Sequence, residues 1–230
     1  MFKTKTAAKV AIIKRIIRDD LGLEDSNYLM NRQTLGIPLR DYIFNSIKQQ
    51  QETYTTFILD FSEIYEASSS VADELGPVLF EKFLNYRSDA RSIKGEIFLA
   101  YGNLSSEMIV SLERAFSGWS LAHSPDYPMV SLGFSSIKGE TYEGFRFLGA
   151  PQLPDSLKMV LDLIYKHGDL TSNDLENLGI KAPSRKLNDI NNRCPWLVRQ
   201  VKVRLEETEK AWTYIYSPIL PPNHPMPMEN

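Results

Sequence analysis

Residues 55–76 read TTFILDFSEIYEASSSVADELG, and this stretch decides the fold. Its first part, TTFILDF, is almost fully apolar, which is typical of a strand that is buried on both faces of a sheet. Three serines follow at 68–70, and after them Val71, Leu75 and Val78 recur at helical spacing. A buried strand, a serine turn and an amphipathic helix therefore form the first predicted unit.

The chain around this unit repeats the same alternation of strand and helix. Residues 95–103, GEIFLAYGN, predict a second buried strand, and residues 105–119 predict a helix with a serine cap. Residues 27–31 predict a short strand, and residues 37–50 predict a helix with Pro38 in its first turn. Alternating strands and helices imply parallel pairing with right-handed crossovers, so this half is predicted to be α/β.

The amino-terminal residues 6–21 predict an amphipathic helix. Four isoleucines fall near one side of it and four basic residues lie on the rest, namely Ile12, Ile13, Ile16 and Ile17 against Lys9, Lys14, Arg15 and Arg18. The pattern leaves open whether this helix packs on its own chain, packs on a twin subunit, or serves as a membrane-surface or nucleic-acid arm.

The second half of the chain has a different organisation. Residues 154–218 predict three helices followed by a β-hairpin whose turn is formed by residues 206–210, with Thr171 capping the second helix. Trp196 and Trp212 beside the hairpin are expected in the core. The predicted division is an amino-terminal helix (1–27), an α/β domain (28–119), a connector with short strands (120–153), a helical domain with a hairpin (154–218) and a loose proline-rich tail (219–230).

Residues 59–76 with the strand at 96–103 resemble the STAS-like regulatory family, which is related to anti-sigma-factor antagonists. In those antagonists a turn reading Asp-Ser-Ser-Gly joins strand to helix, and a partner kinase phosphorylates one of its serines. The resemblance places Ser69 at the phosphoacceptor position, with Ser68 in place of the aspartate and Val71 in place of the glycine. It implies an α/β domain that docks a signalling partner, with a kinase-like ATPase as the candidate.

Residues 154–218 resemble a winged helix-turn-helix in the order and lengths of their elements. The predicted fold is thus a STAS-like α/β sheet-and-helix domain followed by an α+β winged helix. Winged helices bind DNA or dock proteins, so this resemblance leaves both uses open.

The three serines Ser68, Ser69 and Ser70 have three physical interpretations. One of them can cap the following helix, since a serine oxygen accepts from free backbone N–H groups at a helix start. A phosphate there would meet the positive end of the helix dipole, although Glu63, Glu66, Asp73 and Glu74 would repel it. A nucleophilic serine needs a base in reach, and the chain has no G-x-S-x-G elbow. A cap or a partner-binding switch is therefore favoured over catalysis.

Local charge favours duplex DNA as the ligand of the second half. Between residues 181 and 204 the chain carries seven Lys or Arg residues and a single acidic residue, Asp189. Early residues of a recognition helix reach base edges, and exposed cations of a wing meet phosphates. The predicted DNA-binding residues are Ser184, Arg185, Lys186, Asn188, Asn192, Arg193, Lys202 and Arg204. The alternative is that these are ordinary solvated charges or a surface that docks a protein.

Composition narrows the classes of protein further. The chain has 230 residues, a net charge of -3 and one cysteine, so a disulfide framework within the chain is excluded. We expect no membrane span, metal, cofactor or small-molecule substrate, because neither a long apolar run nor a phosphate-binding loop nor a metal-ligand cluster occurs. The acidic pair Asp73–Glu74 is expected on a solvated helix face.

These observations predict a cytoplasmic, non-enzymatic regulator of transcription or defence. Its STAS-like domain would dock a partner and its winged helix would bind DNA, and a homodimer would read two half-sites. The alternative is an adaptor in a signalling or defence complex, with both domains binding proteins.

Overall fold

The structure is a computed structural model that describes residues 7–24, 26–49, 55–90, 97–123, 127–138, 141–204 and 212–220. Within these residues the strands are β1 (Ala7–Ile12), β2 (Tyr28–Leu29), β3 (Thr55–Asp60), β4 (Glu66–Ala67), β5 (Ile97–Gly102), β6 (Ser131–Lys138), β7 (Thr141–Leu148), β8 (Val198–Arg204) and β9 (Trp212–Pro218).

The helices alternate with the strands in the first half and cluster in the second. They are α1 (Ile13–Arg15, continued by a π-turn Ile16–Asp20), α2 (Ile37–Lys48, preceded by a π-turn Arg32–Gly36), α3 (Ser69–Asp73, continued by a π-turn Glu74–Val78), α4 (Leu79–Ala90), α5 (Ser106–His123), α6 (Asp155–His167), α7 (Ser172–Asn177) and α8 (Pro183–Arg193). The molecule is a mixed α/β fold.

The main sheet has five strands in the order β1-β3-β5-β6-β7. The first four run parallel and β7 runs antiparallel to β6. The parallel pairing predicted for β3 and β5 is confirmed, with Thr55 opposite Ile97 and Asp60 opposite Gly102. The short strands β2 and β4 pair in parallel beside this sheet, and β8 and β9 form the predicted hairpin.

The predicted amino-terminal helix is wrong for Ala7–Ile12, which form an edge strand of the sheet. Their backbone groups pair with β3 of the same chain, from Ala7 opposite Thr55 to Ile12 opposite Asp60. Helical turns begin only at Ile13. The described part of this segment therefore packs in cis, where it pairs the backbone N–H and C=O groups that the edge of β3 would otherwise leave unpaired.

The sequence predicts a connector with short strands over residues 120–153, and the structure differs from this prediction in two respects. The strands exist, but β6 and β7 span eight residues each and complete the main sheet. Helix α5 also continues through the start of this range to His123. How the chain divides into domains stays a prediction.

Both faces of the central strands are covered, as their continuous apolar sequence requires. On one face, the Tyr101 hydroxyl donates to the Leu75 carbonyl at 3.0 Å and the ring meets Phe116 edge to face. On the opposite face, the Thr56 hydroxyl donates to the Ile219 carbonyl at 2.5 Å. Helices of the first half thus cover one side of the sheet, and the carboxyl-terminal segment reaches the other.

The elements α6, α7, α8, β8 and β9 form what we call the C-terminal unit. The predicted helices and the Thr171 capping box are confirmed. A single antiparallel bridge joins Leu170, which lies between α6 and α7, to Tyr216 of β9. Cys194 faces the core as expected, and burial raises the pKa of its thiol to about 12.

Trp196 anchors the C-terminal unit to the sheet. Its indole N–H donates to the Val130 carbonyl at 2.7 Å, and its ring meets Phe80 and Tyr127 edge to face. Trp212, also expected in the core, is instead 56% exposed at the start of β9, the end farthest from the base of the hairpin. The two tryptophans that flank the hairpin therefore have opposite environments.

The described start of the proline-rich segment is ordered rather than loose. Ile219 and Leu220 are both buried, and the Ile219 N–H donates to the Tyr165 hydroxyl at 3.4 Å. The prediction of a loose tail from residue 219 is wrong for these two residues. Residues 221–230, like the hairpin turn at 206–210, lie outside the described ranges.

We expect Trp196→Ala to lower the free energy of unfolding by about 3–5 kcal/mol, because a buried aromatic side chain and its hydrogen bond are both lost. Trp212→Ala removes the same side chain from an exposed position and should cost less than about 1 kcal/mol. Urea denaturation followed by circular dichroism measures both values. Equal losses in the two variants would contradict the assigned role of Trp196.

Candidate functional site

Ser68 is the N-cap residue between β4 and α3, Ser69 and Ser70 begin α3, and Ser69 is the most exposed of the three. The Ser68 hydroxyl donates to the Met30 carbonyl at 3.2 Å and lies 3.3 Å from the Ser70 hydroxyl. Ser69 is exposed, whereas Ser68 and Ser70 are half-buried. The geometry therefore distinguishes Ser69 from its neighbours.

The predicted serine cap of α3 is not made. Ser68 occupies the N-cap position, but its side chain accepts no backbone N–H of the helix. Its carbonyl instead accepts from the Val71 and Ala72 amides, as the first helical turn requires. The cap predicted for α5 is confirmed, since the Ser105 hydroxyl accepts from the Met108 N–H at 3.1 Å. Ser68 is held by strand β2 rather than by its own helix.

Exposed aromatic and methionine side chains lie beside the serine turn. Tyr28 and Met30 flank the buried Leu29 of β2, and Tyr65 directly precedes β4. The Tyr28 and Tyr65 rings meet edge to face, with their centroids 5.9 Å apart. Tyrosine and methionine are enriched at protein interfaces. We call Tyr28, Met30, Tyr65 and Ser69 the serine-turn surface.

The acidic pair after the serines is not a solvated helix face. Glu74 is 1% exposed, and its carboxylate accepts hydrogen bonds from two arginines, one in the π-turn before α2 and one in α2 itself. Arg32 donates to Oε1 at 2.7 Å, and Arg40 donates to Oε2. Arg40 also pairs with Asp41 at 2.7 Å. This ion-pair network fastens the start of α2 to the helix that follows the serine turn.

Asp73, the acid next to Glu74, is half-buried rather than buried. Partial burial raises the pKa of the Asp73 carboxyl, Arg32 opposes that rise, and Glu74 adds to it. Four acids were expected to repel a phosphate on the turn, but two of them are paired with cations. Glu74 pairs with Arg32 and Arg40, and Glu63 pairs with Lys14 at 2.9 Å, so the repulsion is weaker than expected. Asp73 and Glu66 remain as acids near the turn without such a partner among the ion pairs described.

A second polar cluster closes the carboxyl edge of the sheet. Asp60 at the end of β3 accepts from the Ser62 N–H and hydroxyl and from the Asn103 amide at 2.6–2.8 Å. Asn103, in a left-handed conformation at φ 53, accepts from the Ile137 N–H at 2.6 Å. Sequence reasoning missed this cluster, although an Asp and an Asn directly after two buried strands signal it. Its members satisfy one another, so it links three strands rather than offering free ligands.

Most of the predicted DNA-binding residues of the second half lie on one solvent-facing side of α8. Pro183, Leu187, Ile190 and Cys194 point inward. The opposite side exposes Lys181, Ser184, Arg185, Asn188, Asn192 and Arg193, while Lys186 is half-buried at its border. Ser184, Arg185, Asn188 and Asn192 lie three or four positions apart along α8, so one helix face presents them, while Lys181 precedes the helix and Arg193 ends it. We call this set the α8 face.

The hairpin divides the remaining basic residues. Lys202 and Arg204 are exposed on β8, as predicted, but Arg199 is only 6% exposed at the base of the strand. Arg199 therefore does not contribute to a surface charge, which lowers the count of available cations in this region. Lys202 holds its ammonium 5.1 Å from the centroid of the Trp212 ring.

Neither a metal site nor a membrane-spanning helix is present among the residues that the structure describes. Across these ranges no three His, Cys, Asp or Glu side chains come together as metal ligands. The described helices include none with the length and apolar character needed to cross a membrane. No protein-family model matches the chain, and no curated protein or solved structure is significantly similar to it.

We expect Glu74→Ala to lower the free energy of unfolding by about 3–5 kcal/mol, because it leaves the half-buried Arg40 guanidinium without its carboxylate. The matched control is Asp41→Ala, which removes a half-exposed partner of the same arginine and should cost less than about 1 kcal/mol. Chemical denaturation at neutral pH measures both. A loss at Glu74 no larger than that at Asp41 would show that the buried network contributes little.

Proposed function

We propose that the chain is a non-enzymatic cytoplasmic regulator with two working parts. A STAS-like α/β part docks a signalling partner at the serine-turn surface, and a winged helix-turn-helix, the C-terminal unit, binds duplex DNA. A homodimer would present two such units to two half-sites of a duplex. The α8 face is the single observation that carries the DNA-binding proposal.

The connectivity of the C-terminal unit supports its interpretation as a winged helix. Three helices precede an antiparallel hairpin, and the bridge between Leu170 and Tyr216 adds a short third strand beside it. In this arrangement α8 occupies the place of the recognition helix, and β8 and β9 form the wing. Such a helix enters the major groove of DNA with its early residues at the base edges.

The chemistry of the α8 face suits that role. Arg185 in the first turn can donate two hydrogen bonds to guanine, and Asn188 or Asn192 can pair with adenine. Lys181 and Arg193, at the two ends of the helix, suit the phosphates on either side. Lys202 and Arg204 on the wing strand add further phosphate contacts, so binding should depend strongly on salt.

The way the C-terminal unit is anchored keeps this face available. Trp196 and Ile219 contact the α/β half, and Tyr165 stacks on Phe145 of β7 with centroids 5.3 Å apart. None of these three anchors belongs to α8. A duplex could therefore meet α8 without separation of the two halves.

The second candidate function is a protein adaptor, and the serine-turn surface favours it. Two tyrosines and a methionine are exposed around Ser69, which suits a protein partner better than a nucleic acid. The resemblance to anti-sigma-factor antagonists suggests a kinase-like ATPase as that partner. In the adaptor alternative the C-terminal unit would dock a protein as well.

We expect the protein to shift a mixed-sequence DNA duplex at low salt and to lose affinity steeply as salt rises. Arg185→Ala with Lys186→Ala should weaken binding by at least about tenfold, because binding to mixed sequence rests on the attraction between cations and phosphates and both variants remove a cation. Lys166→Ala, an exposed cation on α6, is the control and should bind normally. An electrophoretic mobility assay that detects no shift at low salt would favour the adaptor alternative.

If the serine turn is a phosphorylation switch, we expect the phosphate on Ser69 and not on Ser68 or Ser70, whose hydroxyls are engaged with each other and with β2. Peptide mass spectrometry of protein purified from its native host locates the modified residue. Ser69→Ala should then abolish the modification, and Ser70→Ala should leave it in place. An unmodified peptide across residues 67–82 in every growth condition would reject the switch.

A further inference from the structure

One face of the β8–β9 hairpin carries aromatic and basic side chains in matched pairs. The strand register places Arg204 opposite Trp212 and Lys202 opposite Tyr214. Cross-strand partners in an antiparallel ribbon project from the same face, so each cation stands beside an aromatic ring. We call these four residues the hairpin face.

The hairpin face is anchored at its base and open toward its tip. The next pair along the ribbon is Gln200 with Tyr216, where the Gln200 amide donates to the buried Tyr216 hydroxyl at 2.8 Å. Beyond this pair the rings emerge from the protein, with Tyr214 45% and Trp212 56% exposed. Lys202 and Arg204 are exposed on the neighbouring strand. The rings are thus held on a regular scaffold while their surfaces remain in contact with water.

Two exposed rings in sequence on one strand face need an explanation, because large apolar side chains are usually withdrawn from water. Residues i and i+2 of a strand are about 6–7 Å apart, which is close to the spacing of unstacked bases along a single strand. Cations that flank such rings attract the phosphates between the bases. This combination of a basic track and aromatic rings is what sequence-tolerant single-strand binding uses.

We propose that the hairpin face binds unpaired nucleotides of single-stranded nucleic acid by stacking bases on Trp212 and Tyr214. Lys202 and Arg204 hold the intervening phosphates. The ligand is unpaired because a duplex shows only base edges in its grooves, whereas a ring on a strand surface needs the flat face of a base. The proposal rests on the proposed nucleic-acid role of the C-terminal unit and extends it to a second ligand, on a surface that shares Lys202 and Arg204 with the proposed duplex contacts.

The test measures binding of two probes to the whole protein by fluorescence anisotropy. The probes are a labelled oligothymidylate of about 20 nucleotides and a blunt duplex of about 20 base pairs. Trp212→Ala with Tyr214→Ala should weaken oligothymidylate binding by about tenfold or more, since each stacked ring contributes about 1–3 kcal/mol. Duplex binding should change less than about twofold, because both variants keep Lys202, Arg204 and the α8 face, and neither ring is among the proposed duplex contacts.

Three controls separate stacking from loss of structure. Trp212→Phe keeps a ring and should retain most of the affinity for oligothymidylate. Leu121→Ala removes an exposed side chain from α5 and should change nothing. Lys202→Ala should lower the slope of affinity against salt by about one, as expected for one lost phosphate contact. A matching oligouridylate shows whether DNA or RNA is the preferred strand.

Each remaining outcome rejects one proposal without ambiguity. Duplex binding with no binding of either single strand rejects the hairpin face and leaves the α8 face standing. Single-strand binding that survives the loss of both rings also rejects the hairpin face. Single-strand binding that needs the rings, with no duplex binding, supports the hairpin face and rejects the α8 face. Self-association that disappears in Trp212→Ala, without binding of either strand, would assign the hairpin face to a second copy of the chain.

Discussion

The packing of Trp196 against the α/β half is the interaction on which the architecture depends. A sheet whose central strands are apolar on both sides needs a cover for each face, and here helices of the first half supply only one. The C-terminal unit supplies the other cover with Tyr165 and Ile219, while Trp196 fixes the unit to Phe80 of α4 and to the Val130 carbonyl before β6. Trp196 lies just before β8, so its contacts fix the base of the hairpin. The outer side of α8 and the outer part of the hairpin remain exposed to solvent.

The elements that could be predicted from sequence are those with a continuous or strictly periodic apolar pattern, such as β3, β5 and α8. Strand β1 could not, because AAKVAIIK fits a helix as well as a strand, and only the unpaired edge of β3 decides between them. Strands β6 and β7 were underestimated because glycines interrupt them. A Cβ at Gly133 would lie 3.0 Å from the Leu104 side chain and 3.2 Å from that of Leu148, and Gly144 has a positive φ of 62°.

In the candidate sites too, features set by neighbouring residues could be predicted, whereas features set by residues far away in the sequence could not. The exposed side of α8 follows from helical spacing within eleven residues, so its residues could be named in advance. The burial of Glu74 could not, because its two arginines lie 42 and 34 positions earlier in the chain. The Ser68 hydroxyl likewise donates to the carbonyl of Met30, just after the remote strand β2, instead of capping its own helix. Contacts with remote partners decide which polar groups are used for structure and which stay free.

The hydrogen bond between Thr56 and Ile219 joins residues 163 positions apart. During synthesis the β3 strand leaves the ribosome long before the segment that covers it, so the Thr56 side of the sheet stays uncovered until that segment emerges. Folding dominated by such distant pairings is slow, and transiently bare apolar surface attracts other chains. We therefore expect the chain to be most prone to aggregation before the segment around Ile219 has been synthesised.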